Sequence, residues 1–258
     1  MTARHAPDLV SPELLELTRS LGAADQDLVI LAEGNTSQRL VDGRLVIKAS
    51  GARMARATPD DFVVVDLDPL IAMLTSDGAT QADLTAALDA GAVGGRHRRG
   101  SIETLVHTAV QANRRSTFIA HTHPTAVVGM LASTRAGTEF DRAAYCDEAV
   151  VIGRPLYVPY AQPGIELGRL VYRRLAEHLT GGADFPRLML LGNHGIVATA
   201  DTAAGVEAIS QMAVKAARIR AAAYAAGGLA PLPAAAVDAF LARDDIAERQ
   251  GIIARGQR

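Results

Sequence analysis

The sequence is poor in the residues that staple or anchor a fold. Its 258 residues include one cysteine, Cys146, and no tryptophan, and aromatics make up only 4%. A single cysteine excludes an internal disulfide framework and a cysteine-based zinc ribbon, and a lone thiol fits a reducing cytosol. Neither sign of charge is in excess: 26 Lys+Arg against 28 Asp+Glu leave a net −2. That balance argues against nucleic acid or a membrane surface as a partner. No apolar run reaches the roughly 18 residues of a bilayer span. The N-terminal MTARHAPDLV shows no apolar segment of a signal peptide, so the expected location is cytoplasmic. There is no repeat of solenoid period and no Gly-x-Gly-x-x-Gly after a strand, which removes the usual dinucleotide fingerprint.

What is present suffices for a large core. Hydrophobic residues are 49% and charged residues 21%, and no linker divides the chain. Residues 1–258 are therefore expected to form one domain, with a helical extension from about residue 231. Ser11 as N-cap and Pro12 at the first helical position predict a helix to about Ala24. Asp42-Gly43 between two alternating runs predicts a hairpin with a tight two-residue primed turn. DFVVVD at 61–66 reads as a buried strand and 69–74 as a short helix. The Gly- and Ala-rich stretch 76–99 carries mixed signals and is expected to include loop, with a solvated basic run at 96–99. Helix is expected from Ser101 (as N-cap) to Asn113, at 124–132, 164–178 and 202–226, and as one piece at 234–254. Strand is expected at 117–121, around 150–160, at 188–191 and at 196–198. Helices alternating with strands around an antiparallel hairpin predict a three-layer α/β/α domain with a mixed, largely antiparallel central sheet.

Four features carry chemistry. His121-Thr122-His123-Pro124 closes an apolar strand, and side chains at i and i+2 of a strand share a face, so two imidazoles project together as metal ligands do. Asn193-His194-Gly195 places a third histidine in a tight turn between apolar strands, where glycine permits close approach; taken alone it reads as a turn histidine facing solvent. Three histidines form the ligand set of a catalytic metal site with one position open, and they suit Zn2+, with Mn2+, Co2+ or Fe2+ acceptable. Glu103 lies at a helix start: it is either a capping carboxylate or a general base beside the metal. Gly34-Asn35-Thr36-Ser37 and Lys48-Ala49-Ser50-Gly51 flank the open end of the hairpin. With Ser101 they offer hydroxyls, an amide, free N–H groups and a cation to an anionic ligand, unless they are ordinary loop residues.

These motifs, in this order, resemble the class II aldolase/adducin family from about Pro12 to Ala226, closest in style to rhamnulose-1-phosphate aldolase-type domains. The resemblance implies metal ligands at His121, His123 and His194, an acid/base carboxylate at Glu103, and phosphate contacts at Asn35, Ser50, Gly51 and Ser101. Ser37 and Lys48 belong to the same candidate set. Many members carry two adjacent serines before the glutamate. Here the second is Ile102, so either Lys48 replaces the lost hydroxyl or the ligand is not an ordinary 1-phosphate. The family also implies a homotetramer and a proton-donating tyrosine from a neighbouring subunit. Tyr145 stands at a suitable separation; its alternative is a half-buried aromatic. The expected activity is reversible retro-aldol cleavage of a phosphorylated ketose to dihydroxyacetone phosphate and an aldehyde. A decarboxylase of a keto or hydroxy acid on the same centre, an iron oxygenase of the same fold and a metal-free adducin-like binding module are the alternatives.

Overall fold

Strand and helix alternate along most of the chain, which a computed structural model describes over residues 2–114 and 116–255. In order come β1 (Ala3–Arg4), α1 (Pro12–Leu21), β2 (Asn35–Arg39), β3 (Leu45–Lys48), β4 (Phe62–Val65), α2 (Leu67–Thr75) and α3 (Gln81–Ala87). Next are β5 (Asp89–Val93), β6 (Arg96–Arg99), α4 (Thr104–Asn113), β7 (Phe118–Thr122), α5 (Thr125–Leu131) and α6 (Cys146–Val151). The chain continues through β8 (Leu156–Val158), α7 (Ile165–Thr180), β9 (Leu188–Leu191), β10 (Gly195–Ala200), α8 (Ala203–Ala225), α9 (Ala234–Leu241) and α10 (Asp244–Arg255). Eight strands form one sheet in the order β1-β4-β3-β2-β7-β10-β9-β8. Every pairing in it is antiparallel except β8 with β9.

The two-residue period of the strands divides the core. On β3, Leu45 and Ile47 face one side and Val46 the other; on β9, Met189 and Leu191 oppose Leu188 and Leu190. One side is covered by apolar residues of α2, α3, α4 and α7, the other by those of α1, α5, α6 and α8. This is the three-layer α/β/α domain with a mixed, largely antiparallel sheet that the sequence predicts. No helix among the described residues is long and apolar enough to cross a membrane.

Several local expectations are corrected. The β2–β3 connection is a three-residue loop, 41–43, rather than a two-residue primed turn. Gly43 N–H donates to Leu40 O at 3.0 Å, and Gly43 alone of the loop has a positive φ, +90°. The stretch 76–99 does include loop, at 76–80 and 94–95, but more of it is regular than the mixed signals suggest: Thr80 and Asp83 form a capping box on α3, and β5 and β6 pair as a separate two-stranded hairpin. The basic run is thus a strand, with Arg98 paired to Asp61 at 3.2 Å and His97 to Asp89 at 3.1 Å. Val150 and Val151 end α6 instead of starting a strand, because Asp147 and Glu148 open a helical turn there. The expected single terminal helix is two, α9 and α10.

Candidate metal centre

Three chain segments converge at the end of the two central strands. His121 lies within β7, directly across from Asn35 of β2 on one side and Val197 of β10 on the other. His123 follows just beyond the strand, where its N–H donates to Leu28 O at 2.8 Å. His194 sits in the turn joining β9 to β10, whose reversal puts Asn193 at φ +53°, a left-handed conformation that asparagine tolerates.

The rings are steeply inclined to one another, at 56° to 75°. Their centroids are 4.7 to 4.9 Å apart, and His121 Nε2 is 2.8 Å from His123 Nε2. Glu103 closes the fourth side, with Oε2 3.0 Å from His121 Nε2 and Oε1 2.8 Å from His194 Nε2. One ligand atom from each of these four residues falls within 4.8 Å of the others. The donor chemistry fits a divalent cation. His121 Nδ1 is 2.9 Å from Ile196 O, a partner that can only accept, so Nδ1 carries the proton and Nε2 presents its lone pair to the cluster. A lone pair facing a carboxylate and a second imidazole nitrogen calls for a positive charge between them.

Among themselves the four groups favour a proton on His121, the positive charge that a bound cation would replace. Burial pushes Glu103 upward, but the charge and hydrogen bond of His121, with those of His194, hold it well below the usual carboxylate range. Burial would lower His121, yet Glu103 and the Ile196 carbonyl raise it. Burial, with His121 and His194 nearby, pushes His123 down to about 3, so it stands as a neutral imidazole.

Glu103 does not lie inside the helix as expected. α4 begins at Thr104, because residues 99–101 run beside β3: Ser101 N–H donates to Lys48 O at 3.2 Å and Ala49 bridges Gly100. Ser101 is therefore no N-cap. Its hydroxyl accepts from Asn35 Nδ2 at 3.0 Å and from Glu103 N–H at 3.4 Å, and the same amide group donates to Glu103 Oε2 at 3.0 Å. Asn35 Oδ1 is buried without a hydrogen-bond partner among the described residues.

The expected anion-binding set is brought together only in part. Asn35 and Ser101 touch, and Ser50, bonded through its N–H to Arg99 O at 2.8 Å, lies on the adjoining strand end with Gly51, both exposed. Ser37 is fully buried, and its hydroxyl is 2.7 Å from His107 Nδ1, so it faces the helix rather than a ligand. Lys48 is 1% exposed and its ammonium donates to Ala52 O at 2.6 Å and Ala49 O at 3.2 Å. It braces the Ser50-Gly51 loop from beneath instead of replacing a phosphate hydroxyl. Ile102 is 43% exposed beside Glu103. Tyr145, just before α6, packs against α8, with its hydroxyl 2.7 Å from Met212 Sδ and Lys215 Nζ over its ring at 5.1 Å. It makes no hydrogen bond to the histidine cluster. Glu33, which no motif marked, lies with Oε2 3.8 Å from His123 Nδ1.

The family profile described as Class II Aldolase and Adducin N-terminal domain matches residues 12–221. The chain belongs to this family. Among curated relatives, "Uncharacterized oxidoreductase YuxG" of Bacillus subtilis (strain 168) is 24% identical over 198 residues, 74% of this chain and 26% of that protein. The chain thus spans about a quarter of the length of the curated relative it matches. YgbL of Escherichia coli, described as a putative aldolase/epimerase/decarboxylase, superposes with a TM-score of 0.63 at 19% identity, covering 88% of this chain and 95% of that one. L-fuculose-1-phosphate aldolase of Thermus thermophilus superposes with a TM-score of 0.59 at 19% identity, covering 85% and 100%. At these identities the likeness to solved class II aldolases is one of fold.

Proposed function

We propose that the chain is a divalent-metal-dependent lyase that reversibly cleaves a phosphorylated ketose into dihydroxyacetone phosphate and an aldehyde. The observation that carries this reading is the convergence of His121, His123 and His194 with Glu103 at one strand end, ligand atoms within 4.8 Å of one another. His121, His123 and His194 would hold the cation, Zn2+ first. Bound there, it would supply Lewis acidity to the substrate.

The remaining work falls to the chain itself. Glu103 is held ionised, so in the synthetic direction it takes a proton from the carbon that becomes the nucleophile, and in cleavage it returns that proton. Asn35 orients Glu103 and Ser101 together, and Ser50, Gly51 and Ser101 receive the phosphate. The oxygen of the departing aldehyde needs a second proton carrier. Burial and the charges of Asp147 and Glu148 push the Tyr145 phenol up to about 12, so it stays protonated and suits that role. Because Tyr145, just before α6, packs against Met212 and Lys215 of α8 in its own chain, it would serve the site of a neighbouring copy. The reading therefore includes a homotetramer with sites at subunit boundaries. It takes residues 1–258 as one cytoplasmic catalytic domain with a helical extension from about residue 231.

A decarboxylase of a keto or hydroxy acid is the second reading, favoured by the exposed Ile102 where a phosphate hydroxyl would be expected. Metal analysis of the purified protein, beside a His121→Ala/His123→Ala variant and followed by a screen of ketose 1-phosphates, tests both. About one zinc per chain, lost in the variant, with dihydroxyacetone phosphate released, supports the lyase. Metal without release turns the reading to the decarboxylase, iron turns it to an oxygenase, and no metal after reconstitution overturns it.

A further inference from the structure

The outer nitrogens of the three imidazoles are held differently. His121 Nδ1 is anchored on the Ile196 carbonyl, and His194 Nδ1 is buried with no partner among the described residues. His123 Nδ1 faces a carboxylate oxygen of Glu33 at 3.8 Å. Glu33 stands outside the four-residue cluster, on the segment between α1 and β2, and is itself held in place. Its Oε2 accepts from Ile30 N–H at 3.0 Å, and its own N–H donates to Ile30 O at 3.0 Å.

This small turn is costly to form. It puts Leu31 at φ +53°, a left-handed conformation that is strained for a non-glycine residue. Leu31 is 71% exposed, so burial of its side chain does not offset that cost. What the turn achieves is the placement of the Glu33 carboxylate against His123. The same segment ties down the backbone there, since Leu28 O accepts from His123 N–H.

We propose that Glu33 is a positioning residue for the metal centre: its carboxylate accepts from His123 Nδ1–H and so aims the Nε2 lone pair of that ring at the cation. This rests on the reading of the cluster as a metal site. A carboxylate behind a ligating imidazole fixes the tautomer and ring orientation, and its loss typically costs 10–100-fold in metal affinity. The role needs only closure of the 3.8 Å gap by rotation of a part-exposed side chain.

The test is chelator competition for Zn2+ on the full chain, with the visible absorption of the Co2+-loaded protein as a second readout that needs no substrate. Glu33→Ala is expected to weaken Zn2+ binding about 10–100-fold and to alter the Co2+ bands. Glu33→Gln keeps an oxygen acceptor for both His123 and Ile30, and should recover most of the affinity. Leu31→Gly relieves the turn while leaving the carboxylate, and should bind Zn2+ as the wild type does. Wild-type affinity and bands in Glu33→Ala, even with a lower melting temperature, overturn the proposal and leave Glu33 as a turn cap. Equal losses in Leu31→Gly and Glu33→Ala overturn it too, since loop order would then be what matters. A wild type that binds no divalent cation would instead sink the metal centre itself, a distinct result.

Discussion

Gly195 passes so close to His123 that a side chain has no place between them. A β-carbon added at Gly195 would lie 2.8 Å from His123 Cδ2, and closer still to the Thr122 carbonyl oxygen. The glycine that ends the Asn193-His194-Gly195 turn therefore sets the spacing of two candidate ligands at once. Gly195→Ala should push the His123 ring away from the cluster and strain the pairing of β7 with β10, costing about 1–3 kcal/mol in stability. Equilibrium dialysis against Zn2+ is expected to show at least a tenfold loss of affinity while circular dichroism retains the α/β signature. Unchanged affinity would mean that His123 is not a ligand.

Glu103 is held by Asn35 Nδ2 and by two imidazoles; in the proposed reaction its carboxylate moves the proton at carbon. Glu103→Gln keeps the shape and removes that capacity. Turnover is expected to fall roughly 10²–10⁴-fold with metal content intact, measured as dihydroxyacetone phosphate release beside elemental analysis. Full turnover in this variant would remove Glu103 from the chemistry.

The two central histidine motifs and the layer architecture were legible because each follows from a local rule. The i, i+2 spacing of His121 and His123 puts both on one side of β7, and alternation along the strands sorts the two halves of the core. What was not legible depends on distant partners. Ser37 looked like a loop hydroxyl, but strand pairing carries it inside against His107. Lys48 looked like a cation for a ligand, but the bend at Ser50 folds backbone carbonyls over its ammonium. Ser101 looked like an N-cap, but its backbone is taken by β3 before the helix begins. In each case a tertiary bond between segments far apart in sequence overrides the local preference. Glu33 left no trace for the same reason: only the folded chain brings it to His123.

Burial pushes Lys48 down from 10.5 to about 8, with Asp61 and Glu103 opposing the shift. The folded protein then binds the proton less tightly than the unfolded chain. Between pH 8 and 10.5 the unfolded state holds a proton that the folded state has lost, so this residue makes stability rise with pH across that window. Below pH 8 the penalty is fully present, about 3 kcal/mol for a shift of this size. Lys48→Met removes the titration. Denaturant unfolding of both proteins should show the wild type gaining about 3 kcal/mol relative to Lys48→Met as pH rises from 8 to 10.5. A pH-independent difference would place the ammonium in better-solvated surroundings than the buried loop provides.

In the proposed reading, Ile102 stands where a phosphate hydroxyl would be expected. It lies between Ser101, whose hydroxyl is already engaged by Asn35, and Glu103, and its side chain is 43% exposed rather than packed in the core. Replacing it should therefore cost the fold little. Ile102→Ser adds a hydroxyl next to Ser101 in the chain, and a hydrogen bond to a charged group contributes about 1.5–3 kcal/mol. If the ligand carries a phosphate there, titration calorimetry with dihydroxyacetone phosphate on the zinc-loaded protein should show binding tightened roughly tenfold or more. The gain should appear in affinity and leave the proton-transfer step with Glu103, so KM is expected to fall while kcat holds. Unchanged affinity would place the phosphate elsewhere, and the apolar Ile102 would then mark a substrate whose nearest group is not a phosphate, as the decarboxylase reading requires.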